Sequence, residues 1–446
     1  MRKVLLALGT LAIWATQSAA DLRDRVTEFY LENGMQIVVI PDNRAPVVTH
    51  MVWYRSGAAD ETPGSSGVAH FLEHLLFKKT KNLADGELSK TVADNGGSDN
   101  AFTSYDYTAY YQRVAADRLE LMMSMEAERM VNLDLGDDEI FTERDVIIEE
   151  RNQRTETNPN ALFREQSNAA LYQNHRYGVP VIGWRHEMSQ LTLQDALAYY
   201  RQFYAPNNAI LVVAGDVEPQ NVFELAQKHY GPLPANPDLK PRSRPQEPPQ
   251  SAARRLNFID ERVAQPYVTR SYLAPERDSG DQRTAAALTL LADVLGSGQT
   301  SVLKKKLEFE SKTAIYVSAS YSGISVDDTS FGLAILPATD VSLEDAEKAL
   351  DAAITSFLEE GVDADHLARI KMQYRASEIY AQDNTNGLAN AYGRALASSL
   401  TLDDIHEWPE ILQSITSDEI IAAARDVFDI SASVTGWVSN GKGEAQ

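Results

Sequence analysis

The chain has 446 residues, 43% of them hydrophobic and 24% charged, a balance that excludes a disordered or fibrous protein and allows two to four domains. Its formal net charge is −23, and a surface this acidic repels nucleic-acid phosphates and anionic lipid, so neither is an expected partner. With no cysteine, it has neither a disulfide framework nor lipid attachment through an N-terminal cysteine.

In chain order, the first expected element is a signal peptide over 1–20. Arg2 and Lys3 supply the positive start, 4–14 is an apolar run too short to span a bilayer, and Ser18-Ala19-Ala20 offers small residues before Asp21. The mature chain, at −25 once Arg2 and Lys3 are gone, is expected in the periplasm of a Gram-negative cell, with no stable membrane anchor.

Strands are expected over 35–41 and 47–54, which are rich in Val, Ile and aromatics. A helix follows over 66–77: Val68, Phe71, Leu72, Leu75 and Leu76 recur at three- and four-residue steps, and Ser65 or Ser66 can cap it. Further helices are expected over 86–94, 116–131 and 138–155, and the alternating, aromatic stretch 100–114 reads as a strand.

From 232 to 249 the chain reads PLPANPDLKPRSRPQEPP, which stays extended and makes a semi-rigid linker. It divides a half over 21–235 from a half over 256–446, with the linker at 236–255. Each half ends on an amphipathic helix and a β-rich run. An offset of 224 matches Thr192 with Thr416, Ala198 with Ala422 and Arg201 with Arg425, so the halves are expected to be distant copies. Strands interspersed with helices make the fold α+β, an α/β sandwich in each half.

Of eight histidines, only His70 and His74 stand four apart in a helical segment, which places both imidazoles on one face about 5–6 Å apart at their β-carbons. Glu73 borders that face and can accept a proton from a metal-bound water. HxxEH is the HExxH zinc motif with its parts reversed. A polar trio on an otherwise apolar helix needs partners to offset desolvation, and zinc supplies them. The third ligand must come from elsewhere, and the segment 141–153 offers Glu143, Glu149 and Glu150. Glu143 and Glu150 share a helix face beside Val146 and Ile147, while Glu149 points about 100° away. Spacing alone leaves open whether this is a ligand face or a solvated one.

HFLEHLLFKKT, followed by a Glu 76 residues after the second His, resembles the pitrilysin family, which includes insulin-degrading enzyme and the mitochondrial processing peptidase. The resemblance implies His70, His74 and Glu150 as zinc ligands, Glu73 as general base and Glu143 as an outer support. GGSDNAFTSYDYTAYY, from Gly96, is similar to the family's substrate strand, which implies that Asn100 and Ala101 bind the peptide main chain by β-augmentation. RYGVPVIGW and VTGWV also resemble the bacterial, roughly 50-kDa branch. The implied protein is a zinc metallopeptidase with two halves facing each other in clamshell fashion. It would hydrolyse short or unfolded peptides, with zinc activating water and Glu73 as base.

Two features depart from the family pattern. Relatives send an Arg and a Tyr, seven apart, from the second half to the zinc site; here Tyr316 matches the Tyr within one residue, but position 309 is Phe. The second-half segment from Ala286 that corresponds to the zinc helix has no histidine. The resemblance therefore implies a dimer in which a partner chain, identical or a related metal-free subunit, completes the site. An alternative is a non-catalytic interaction subunit, although such proteins lose part of the metal set, which is intact here. A zinc hydrolase of something other than peptides requires that the Asn100–Ala101 strand not be a sheet edge.

Overall fold

A computed structural model describes residues 22–441, so the expected signal peptide lies outside the described residues. Six strands form the first sheet: β1 (Thr27–Tyr30), β2 (Gln36–Pro41), β3 (Val47–Tyr54), β4 (Ser98–Thr103), β5 (Thr108–Ala115) and β6 (Ala209–Gly215), in the order β1-β2-β6-β3-β5-β4. Five form the second: β7 (Arg254–Ile259), β8 (Tyr267–Ala274), β9 (Ala314–Tyr321), β10 (Thr329–Pro337) and β11 (Ser433–Ser439), in the order β7-β11-β8-β10-β9. Each sheet has one parallel pair, β2 with β6 and β7 with β11. Apart from β1, the two sheets share strand order and sense.

The duplication is therefore topological. At the 224 offset, the helix Leu193–Phe203 falls on Ser417–Val427 and β6 falls on β11. Both helices open on the same capping box, Thr192 with Asp195 and Thr416 with Glu419. The fold is α+β, with two homologous α/β-sandwich halves of the clamshell type. Helix Arg283–Gly296 takes the place of the Val68–Leu75 helix in the second half and carries no histidine.

β2 and β6 read as continuous apolar runs because both sheet faces are covered. One face packs Ile37, Val39, Leu211 and Val213 with Phe71 and Leu72 of the Val68–Leu75 helix. The other, with Val38, Trp53, Ile210 and Val212, is covered by helix Thr385–Ala397 from the second half. In return, helix Pro159–Leu171 of the first half lies across β7, β8 and β11. Each half thus lends a helix to the other's sheet. The approach is close: a β-carbon at Gly393 would sit 2.1 Å from the Trp53 indole, and one at Gly436 2.1 Å from the Phe163 ring.

Three expected elements differ. The strand over 100–114 is a hairpin, β4 and β5, turning at 104–107 where no Gly or Pro announces it. There Tyr107 packs edge-on against Trp53, so the aromatic alternation runs on through the turn. The helix over 138–155 is Asp137–Arg151 followed by a π-helical turn, Asn152–Glu156. The helix over 116–131 opens with a 3-10 turn before Leu119–Val131.

The proline-rich stretch has no regular structure until β7 begins at Arg254, but it is pinned along its path. Arg244, buried, reaches Asp106 at 2.6 Å and Asp60 at 2.9 Å in the first half and Asp327 at 2.9 Å in the second. The Glu247 carboxylate accepts from the backbone N–H groups of Gln173, Asn174 and His175. Among the described residues, Arg244→Ala would leave buried Asp106 without a cation, while Asp60 keeps Arg242 at 3.6 Å and Asp327 keeps His175 at 3.1 Å. Chemical denaturation is expected to show a loss of about 3–5 kcal/mol. Unchanged stability would mean that the pin contributes nothing.

Candidate metal centre

The helix Val68–Leu75 starts from Gly67, whose φ of +90° and 2.6 Å β-carbon clearance from the Ile182 carbonyl oxygen leave room for glycine alone. Neither serine expected as a cap serves as one: Ser65 donates to the Thr62 carbonyl and the Ser66 hydroxyl accepts from Trp184 N–H. The Glu61 carboxylate takes that role, accepting from Gly67 N–H at 3.0 Å and Ala69 N–H at 2.9 Å. Burial pushes Glu61 up to about 8 against these two N–H bonds, so the cap works by hydrogen bonding and fixes the helix start from outside the helix.

Phe71, Leu72 and Leu75 go into the core, while His70, Glu73 and His74 line a cleft of about 1110 Å³. Helix Asp137–Arg151 packs beside it and brings Glu150 to the two imidazoles. Glu150 Oε2 lies 3.5 Å from His70 Nε2 and 3.3 Å from His74 Nε2. Tetrahedral zinc, with its ligands about 2.1 Å away, holds them roughly 3.4 Å apart. Arg154 holds Glu150 Oε1 at 2.7 Å, which leaves Oε2 facing the two imidazole nitrogens, an acceptor that a cation among the three would satisfy. Two of the three separations match zinc, and all three ligand atoms lie within 4.8 Å of one another, so the residues fit a zinc site. Glu149 does not join them; its carboxylate accepts from Asn152 and Gln153.

Glu143 stands behind His74, with Oε1 2.8 Å from Nδ1 and Oε2 2.7 Å from Lys78 Nζ. Donating its Nδ1 proton to Glu143 leaves Nε2 of His74 as the free lone pair, the arrangement a metal ligand needs. Burial alone would raise Glu143, but the hydrogen bonds from His74 and Lys78 outweigh it and hold the carboxyl below its usual range. Burial likewise opposes charge on His74, yet Glu143 and Glu150 hold it up at about 9. His70 is pushed down to about 4 by burial and by its neighbour His74. At neutral pH the metal-free site thus carries its proton on His74, and a metal must displace it. Apparent zinc affinity is expected to fall about tenfold per pH unit below about 9. Competition with a chelating dye, corrected for its own protonation, would measure this; a flat profile would contradict a ligand role for His74.

Glu73 is nine-tenths buried, and burial raises its carboxyl above the usual range against a hydrogen bond from Thr103, whose hydroxyl donates to Oε2 at 2.6 Å. Asn100 and Ala101 lie on β4, the outermost strand of the sheet, which among the described residues pairs with β5 alone and leaves its other edge open. Val146, beside the Glu143–Glu150 face, is 45% exposed and lines the cleft with Val181 and Ile182, whereas Ile147 is buried. Every lining residue lies between 70 and 182. Tyr316 and Phe309 are absent from the lining, each about half exposed on the second half. Thr103 and Glu61 escaped the sequence reading; strand alternation from Ala101 points to the first, and no local pattern points to the second.

Two duplicated halves, an HxxEH helix and a distal glutamate brought against it define a clamshell-type protein with an inverted zinc motif. Residues 37–184 match the family described as Insulinase (Peptidase family M16), and residues 190–374 match Peptidase M16 inactive domain. The chain is similar to "Zinc protease PqqE" of Helicobacter pylori, 32% identical and covering 97% of this chain and 96% of that one. A crystal structure of a protease from Helicobacter pylori superposes with a TM-score of 0.85 at 29% identity, covering 93% of this chain and 99% of the other. The periplasmic protease PqqL from Escherichia coli shares the fold, with a TM-score of 0.81 at 20% identity over 94% of this chain and 48% of that one. The chain belongs to the insulinase family, peptidase family M16.

Proposed function

We propose that the chain is an exported zinc metallopeptidase that hydrolyses short or unfolded peptides. The observation that carries this reading is the convergence of His70, His74 and Glu150 in a cleft bordered by the open edge of β4. Zinc held there would polarise the scissile carbonyl and lower the pKa of water from 15.7 toward about 7. Glu73 takes the proton of the attacking water and returns it to the leaving amine; a carboxyl raised by burial suits both transfers. Asn100 and Ala101 present β4 to the peptide main chain, and an open edge favours β-augmentation over a non-peptide substrate. Glu143 orients His74.

Export rests on the 1–20 pattern and on the description of the PqqL neighbour as periplasmic; among the described residues no helix is long and apolar enough to cross a membrane. Among the described residues the cleft draws nothing from the second half, which supports completion of the site by a partner chain, identical or metal-free. A peptide-library digest read by mass spectrometry, with and without a chelator, tests the peptidase reading. Cleavage abolished by the chelator and restored by zinc is expected; cleavage that ignores the chelator would defeat it. Full activity in a verified monomer would defeat the shared site.

A further inference from the structure

Glu73 receives its hydrogen bond from the strand on which the peptide is expected to dock. Thr103 closes β4, paired with Thr108 across the hairpin. Its hydroxyl lies 2.6 Å from Glu73 Oε2, a length typical of an O–H donating to a carboxylate. The direction of that bond follows from its neighbours. Thr108 Oγ1 is 3.5 Å from Thr103 Oγ1 and donates its own proton to the Ser56 carbonyl at 3.2 Å. With its proton committed there, Thr108 can only accept from Thr103, and the 2.6 Å contact to the Glu73 carboxylate takes the Thr103 proton over the 3.5 Å one. Among the described residues no other hydrogen bond reaches the Glu73 side chain.

Strand alternation puts Thr103 on the same face of β4 as Ala101, and both line the cleft. We propose that Thr103 is a positioning residue that holds Oε2 of Glu73, leaving Oε1 as the oxygen that exchanges protons, and that it ties the base to the peptide-receiving strand. The inference rests on the peptidase reading and deepens it. A carboxylate on a flexible side chain samples several rotamers, and proton transfer needs the one within hydrogen-bond reach of the water. Thr103 selects that rotamer from the strand on which the peptide is expected to dock, a strand fixed by its ladder with β5.

The test compares Thr103→Val, which keeps shape and strand propensity but removes the donor, with Thr103→Ser, which restores it. In the zinc-loaded protein, Thr103→Val is expected to lower kcat about ten- to hundredfold, the usual worth of a hydrogen bond to a charged group, with KM, zinc content and melting temperature unchanged. Thr103→Ser is expected to return kcat to within about threefold of wild type. Crystal structures give a second readout: the Glu73 carboxylate is displaced or split between rotamers in Thr103→Val and single in Thr103→Ser. Thr103→Ala, which adds no bulk, replaces the valine variant if that one fails to fold. Wild-type kcat in the variant, a rise in KM alone, or an unmoved Glu73 would overturn the proposal. A wild-type chain that cleaves no peptide would instead count against the peptidase reading, and the position of Glu73 would then decide the Thr103 proposal alone.

Discussion

Glu73→Gln is expected to retain about one zinc per chain and to lose about 10²–10⁴-fold in kcat. Glutamine has the same shape, and its amide oxygen can still accept from the Thr103 hydroxyl that holds Oε2 in the wild type. None of the three metal-site residues changes, since His70, His74 and Glu150 converge without help from Glu73. Only the ability to take up and release a proton is removed. Steady-state kinetics and metal analysis on the same preparation would check this. A variant with near wild-type kcat would place the general base elsewhere, and one without zinc would make Glu73 a structural member of the site.

His74→Ala is expected to lose both the metal and all activity above background. His74 makes two contacts that no neighbour replaces, one to Glu150 at 3.3 Å and one to Glu143 at 2.8 Å. Its loss leaves two groups for zinc, where catalytic sites use three. Glu143 would keep Lys78 as its only cation, at 2.7 Å. Melting temperature gives a readout independent of catalysis. Ligand binding to the native state raises stability by RT ln(1 + [L]/Kd), so added zinc is expected to stabilise the metal-free wild type and leave the variant unmoved. An equal rise in both would show that zinc binds elsewhere.

The parts of the site that lie within one turn of helix were legible in the sequence. His70, Glu73 and His74 are neighbours by helical geometry, whatever the tertiary fold does. The distal glutamate was not legible by spacing. Glu143, Glu149 and Glu150 differ in placement only because of how helix Asp137–Arg151 docks on the Val68–Leu75 helix, and that docking is tertiary. The structure sorts them: Glu150 faces both imidazoles, Glu143 backs His74, and Glu149 bonds to Asn152 and Gln153. Only the family resemblance had distinguished them.

The same division runs through the fold. The repeat was visible where an amphipathic helix precedes a buried strand, because both carry strong periodicity, and the 224 offset holds through both. The exchanged helices were not. Contacts such as Gly393 with Trp53 or Gly436 with Phe163 join residues hundreds of positions apart, and nothing local records them. The Glu61 cap lies six residues before the Gly67 N–H it receives, beyond the reach of the Ser65 and Ser66 capping pattern. The π-helical turn after Arg151 depends on a backbone adjustment that composition does not announce. The linker looked like a spacer because its prolines are local, whereas the partners of Arg244 are distant.

The central claim, that His70, His74 and Glu150 hold a zinc ion used for peptide hydrolysis, is tested most directly by measuring zinc stoichiometry and peptide cleavage on one preparation of the mature chain. About one zinc per chain is expected, with cleavage that is lost on chelation and regained on adding zinc, in the presence of a partner chain where assembly requires one. No bound zinc, or zinc bound with no peptide cleaved by the assembled protein, would contradict the account.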